Sequence, residues 1–128
     1  MIVVVVIAVL AAIGYPSYQS YVARGKRSDA EQLISEIALK QGQYIIDARA
    51  YSSTAGAGGL NIARQGWTCA ATCSNTYYTI SVAVDNTATP PTFSITGTPT
   101  GTQAGDGTLS LDNTGAKTRM VAGVNKGW

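Results

Sequence analysis

The stretch MIVVVVIAVLAAIGYPSYQSY, residues 1–21, decides how the rest of this chain is read. Its first thirteen residues carry no charge and no hydrogen-bonding side chain; Gly14 and Pro16 follow, and an amphipathic pattern then runs without a loop to about Ala50. At about 1.5 Å per residue, Met1 to Ile13 covers roughly 20 Å, less than the roughly 30 Å hydrocarbon core of a bilayer. Three readings compete. A secretory signal would share the apolar run and the small Ala11 and Ala12, but no basic residue precedes the run. A buried core helix would be an odd use of so much Val and Ile, which helix propensity disfavours and only a dry environment rewards. A membrane anchor lacking some residues at its start fits everything except length, and this reading leads.

At 128 residues there is room for one domain. The pattern divides it into an N-terminal helix over residues 1–50 and a head over residues 51–128. Within the helix, residues 1–21 are apolar and residues 22–50 amphipathic. Nine Lys and Arg against seven Asp and Glu leave a charge of +2 with no long run of one sign, so no large electrostatic footprint for nucleic acid is visible. The one basic cluster, Arg24, Lys26 and Arg27, reads as a solvated collar where the chain leaves an apolar environment. There is no histidine, which removes imidazole acid/base catalysis, His metal sites and imidazole pH switching. No nucleophile with a neighbouring base is visible, so catalytic residues and cofactors are not expected.

Cys69 and Cys73 are separated by Ala70, Ala71 and Thr72. Without histidine or further cysteines they cannot complete a structural zinc site, and the spacing is neither CxxC nor CxxCH. A local disulfide in an oxidising compartment is preferred, with two reduced buried thiols as the alternative. So short a loop gains little closure entropy, so the bridge would shape a turn more than hold the head together.

Along the chain, Tyr18, Tyr21 and Val22 continue the apolar stripe, which resumes at Leu33, Ile34, Ile37, Ala38, Gln41, Tyr44, Ile45 and Ala48. These three- and four-residue steps define one helical face. Lys26, Asp29, Glu36, Lys40, Gln43 and Asp47 lie opposite and read as an ordinary solvated surface. Ser28-Asp29-Ala30-Glu31 matches a capping box, but the stripe holds its phase past Gly25, so one continuous helix is preferred. The small residues after Tyr51 begin a connecting loop, and Leu60 to Ser74 reads as irregular, with Trp67 as an apolar plug. Alternation then marks strands at Tyr78–Val84, Thr92–Thr96 and Thr108–Leu111, with a marginal fourth at Lys117–Val121 after the turn Asp112-Asn113-Thr114-Gly115. The tail from Ala122 has no period, though Trp128 is expected to pack back on the head. The sum is an α+β fold, a long N-terminal helix packed against a three- to four-stranded antiparallel sheet.

Residues 1–32, MIVVVVIAVLAAIGYPSYQSYVARGKRSDAEQ, resemble the N-terminal helix of a type IV pilin. YYTISVAV, FSIT and DGTLSLDNTGAKT resemble, more loosely, the head of the PilE-like group of these pilins. The resemblance implies a leader cut by a prepilin peptidase and a mature start like FTLIEL, so that six residues would precede Met1. Restoring them would bring the apolar run to spanning length. The family glutamate that pairs with a neighbouring subunit's amine would lie before Met1, so no processing site or assembly carboxylate can be assigned here. Relatives of this head commonly carry a cysteine just before the GTL segment; here Asp106 and Gly107 stand there, so the usual C-terminal disulfide is not expected.

The function so implied is that of a structural subunit of a type IV pilus at the bacterial cell surface. It would wait in the inner membrane, meet the pilus assembly machinery and polymerise with identical copies into a helical filament for adhesion, motility or DNA uptake. Ile2, Val5, Val6, Val9, Leu10, Ile13, Tyr18 and Tyr21 would pack in the filament core, and Ala8, Gly14 and Pro16 would mark a segment that kinks or melts on assembly. Two alternatives stand beside it. A type II secretion pseudopilin would bind calcium through Asp85, Asp106, Asp112 or Asn113, although no dense acidic loop unites them. A minor pilin acting as adhesin or DNA-binding subunit would use the collar or head loops, with Lys117 and Arg119 as the cations to neutralise in a test.

Overall fold

The computed structural model describes residues 1–128. Helix α1, Ile2–Ala48, runs unbroken for 47 residues, about 70 Å at 1.5 Å per residue. It ends at Ala48, two residues short of the expected boundary, where Arg49 turns into the left-handed region and its N–H closes on the Ile45 carbonyl. A loop returns along the helix. Seven strands follow in a single antiparallel meander ordered as in the chain: β1 Thr68–Cys69, β2 Cys73–Ser74, β3 Tyr78–Asp85, β4 Thr92–Pro99, β5 Thr108–Asp112, β6 Lys117–Val121 and β7 Val124–Asn125. The sheet is therefore wider than the expected three or four strands. The additions β1, β2 and β7 are two residues long, too short to show alternation, and hairpin closure rather than apolar pattern makes them.

The core forms where the middle of α1 crosses β3, β4 and β5. Ala30, Leu33, Ile34 and Ile37 are fully buried along one face of the helix. The register sets Ile80 beside Gly97 and Gly97 beside Leu109, then Val82 beside Ile95 and Ile95 beside Leu111, so the inward row is apolar across three strands. Residues of alternate parity point away, and that outer face carries Thr79, Ser81, Ser94, Thr96, Ser110 and Thr118, all half-buried. Gly97 gives Ile34 its room, because a Cβ there would lie 2.9 Å from Ile34 Cδ1 and would push that side-chain end aside. Its bare backbone lets the helix seat its branched side chain on the sheet.

The connecting loop contributes more than a link, since Ala55, Leu60, Ile62 and Trp67 are all buried in the same core. Its backbone pairs with the hairpin beyond, Gly56 N donating to Ala70 O at 2.7 Å. A side chain at Gly56 would collide with the Cys69 carbonyl. The loop begins at a polar clamp. Fully buried Gln41 donates through Nε2 to Ser52 O at 2.6 Å and accepts from Ser52 N at 3.0 Å, so an amide on the apolar stripe satisfies a backbone that cannot reach water. Replacing Gln41 by Ala strands both backbone groups, and the expected loss is about 2 kcal/mol, read as an earlier midpoint in denaturant with an unchanged slope.

Candidate functional site

The largest run of apolar side chains that the chain leaves uncovered is the N-terminal part of α1. Ile2, Val5, Val6, Val9, Leu10, Ile13, Tyr18 and Tyr21 are all exposed, from 50% at Val6 to 81% at Ile2. An 18-residue window of the helix has a mean hydropathy of 1.9, with none of it buried. The helix passes through Ala8, Gly14 and Pro16 without a break in the single chain. Pro16 has no N–H to offer the preceding turn, so the hydrogen-bond ladder is thinnest there.

At the point where α1 enters the head, a polar hub joins three parts of the chain. Arg27 Nη1 donates to Asp106 Oδ1 at 2.7 Å, and the Tyr78 hydroxyl donates to Asp106 Oδ2 at 2.8 Å. Gln103, buried in the 3₁₀ turn Gly101–Gln103, donates to the Ala23 carbonyl of the helix at 2.8 Å. Arg119 Nη1 reaches Asp106 O at 2.8 Å and Arg119 Nε reaches Gly127 O at 3.0 Å, which brings in the C-terminal strands. Burial raises the Tyr78 pKa far above its ordinary range and the Asp106 carboxylate adds to the rise, so the phenol stays a donor. Asp106, which with Gly107 holds the place where the resemblance leads one to look for a cysteine, ties α1, β3 and β6 together by hydrogen bonds.

A second polar link holds the loop. Asp29 accepts from Arg64 Nη2 and from Trp67 Nε1, each at 2.8 Å, while Arg64 also reaches Gln32 Oε1 at 3.1 Å. The face read as ordinary solvated surface therefore carries Asp29 as an anchor; the pairing depends on a loop that returns 35 residues later, which helical periodicity does not reveal. Cys69 and Cys73 form a disulfide that closes the β1–β2 hairpin.

Of the candidate calcium ligands, Asp85 and Asn113 line one open surface pocket, but the three carboxylates Asp85, Asp106 and Asp112 form no common cluster. Asp106 belongs to the hub, before β5, whereas Asp112 ends β5 and accepts from Thr114 and Ala116 in its own turn. Asp85 accepts likewise from Thr87 and Ala88, and these hydrogen bonds hold both exposed carboxyls below the usual carboxylate range. Of the two cations marked for a DNA test, Lys117 is exposed, but Arg119 is half-buried with two of its donors on backbone carbonyls. In the collar, Arg24 is exposed, Lys26 lies 3.8 Å over the Tyr77 ring and Arg27 is spent on Asp106.

Glu31 is the one strained member of the hub. Its Oε1 is buried without a hydrogen-bond partner, 3.6 Å from Arg27 Nε. Burial raises its pKa above the ordinary 4.5, Arg27 and Arg119 pull it back, and Asp106 adds to the rise. A carboxyl whose folded pKa lies above its unfolded one favours folding below 4.5 relative to neutral pH, and that benefit is lost as pH rises through the folded value. Glu31→Gln is therefore expected to raise the melting temperature by a few degrees at pH 7 and to leave it nearly unchanged near pH 3.5. A lower melting temperature at pH 7 would show that the Arg27 ion pair outweighs the burial.

An exposed apolar helix continuous with the core of a small α+β head is the layout implied by the pilin resemblance, and the comparison with known families agrees. No curated protein and no solved structure matches the chain. Residues 16–110, about three quarters of the chain, match the family described as type IV minor pilin ComP, DNA uptake sequence receptor, and the chain belongs to that family of type IV pilins.

Proposed function

We propose that this protein is a minor subunit of a type IV pilus, held in the filament by α1 after an earlier stay in the inner membrane, with a head that binds DNA outside the cell. The observation that carries the first half is the bare apolar end of α1. Leaving Ile2, Val5, Val6, Val9, Leu10 and Ile13 in water costs on the order of 10 kcal/mol at 1.5–3 kcal/mol per fully buried aliphatic side chain. Lipid removes that cost before assembly, and neighbouring helices remove it afterwards, so extraction into a filament exchanges one dry environment for another. The segment from Ala8 to Pro16, short of a hydrogen-bond donor, is where the helix would extend to meet neighbours.

The second half is supported by the description of the family, whose members are named as receptors for a DNA uptake sequence. Adhesion or twitching motility would use the same filament and the same exposed head; the family description favours DNA among the three. The small positive charge limits the electrostatic share of binding, so the contact would be local.

The first test follows the subunit produced from its own gene. Leu10→Lys places a charge in the exposed apolar end, and the protein is expected to disappear from sheared filaments while its head still folds with the disulfide intact. Equal incorporation of Leu10→Lys would overturn the filament reading. The second test measures binding of the purified full chain, held in detergent, to duplex DNA. Binding should weaken steadily as salt rises, and no binding at low salt would overturn the DNA reading while leaving the filament reading untouched.

A further inference from the structure

We propose that the β6–β7 hairpin and the tail behind it form the surface that takes DNA phosphates, with Lys117 and Lys126 as the contacting cations and Trp128 as the support beside them. The inference rests on the DNA reading above and adds to it the place of contact. The hairpin lies beyond residues 16–110, so the family match makes no statement about it.

Several of the chain's cations are already committed. Arg27 is committed to Asp106, and Arg64 to Asp29. Arg24, Lys26, Lys40 and Arg49 are strung along the helix and its end, with Asp29, Glu31, Glu36 and Asp47 between and beside them. The last acidic side chain in the sequence is Asp112, and the residues after it hold Lys117, Arg119 and Lys126. No other stretch of the head gathers three cations without a carboxylate.

The fold then draws these three together. Met120 pairs with Asn125 and Val121 with Val124, and the same register continues as Lys126 N donates to Arg119 O at 2.8 Å. Residues 117 and 119 share one face of β6, and 126 lies across from 119. Arg119 has a different task from the two lysines: its bonds to Asp106 O and Gly127 O pin the tail, which makes it a positioning residue. Trp128 Nε1 donates to Thr118 O at 2.9 Å, and Lys117 Nζ stands 4.9 Å over the indole ring. The carboxylates that face Lys117 from the helix side have cations of their own: Asp106 accepts from Arg27 and Tyr78, Glu31 is buried beside Arg27, and the half-exposed Glu36, which shares a groove with Lys117 and Trp128, lies 3.6 Å from Arg64 Nη1. Lys117 on β6 and Lys126 just after β7 remain exposed, at a sheet edge that no other strand of the chain covers. A cation-bearing edge beside a fixed aromatic ring suits a phosphate backbone, which is read by charge and needs no deep pocket.

The test uses the full chain in detergent and fluorescein-labelled duplex DNA, followed by anisotropy across a salt series. Lys117→Gln with Lys126→Gln is expected to weaken binding about tenfold near 0.1 M salt and to lower the salt slope by about 2, since each phosphate contact carries about 0.9. Arg24→Gln with Lys40→Gln removes the same charge from the helix and should change binding less than about twofold. Lys117→Arg with Lys126→Arg should restore it. Equal losses in the hairpin and helix variants would reduce the effect to net charge and overturn the proposal, as would a hairpin variant that binds like wild type, or an arginine variant that fails to rescue. Absence of binding by the wild-type chain would instead strike the DNA reading itself, and the hairpin proposal with it.

Discussion

Ile34 meeting the bare backbone of Gly97 is the contact on which the rest of this structure depends. It sets how closely α1 approaches the sheet, and with that the depth at which Leu33, Ile37, Ile80 and Leu109 disappear from water. A head of about seventy-five residues cannot build much of a core alone. Here the helix supplies one side of it, and the connecting loop closes the flank with Ala55, Leu60, Ile62 and Trp67. The helix is therefore divided between two environments: its middle belongs to the head, and residues 1–21 lie exposed.

Around that contact the polar groups divide by position. Gln41 and Ser52 seal the far end of the helix, Asp29 with Arg64 and Trp67 seals the loop, and Asp106 with Arg27 and Tyr78 seals the near end. The last two join segments far apart in sequence, and each of the three accepts or donates where a backbone or a charge would otherwise lie unmet. The cost of this design is Glu31, whose oxygen is buried without a partner in the same place.

The long helix and strands β3 to β5 were legible in the sequence because their periods run for many residues. The strands β1, β2 and β7 were not, because two-residue strands have no period and arise from closure of the disulfide loop and of the C-terminal hairpin. The polar partners were hidden for a different reason. Gln41 was visible as a member of the apolar stripe, but its clamp on Ser52 depends on where the chain turns after Arg49. Asp29 looked like a surface residue until the loop brought Arg64 and Trp67 back to it. Arg119 looked like a free cation and is instead half tied to the tail, which only the register of β6 against β7 reveals. The apolar end of α1 packs against nothing in its own chain, so no pattern within that chain could display a contact for it.

The unbroken run of α1 from Ile2 to Ala48 also gives the protein a mechanical axis. Any tension applied to the free end of the helix enters the head at the hub, where Gln103 holds the Ala23 carbonyl and Asp106 holds Arg27. Those bonds lie side by side around one turn of helix, so a pull along the axis loads them together, in shear, and they must fail as a group. Beyond them the apolar stripe of Ala30 to Ile37 takes the remaining load over a longer lever. The arrangement is that of a rod gripped by a collar.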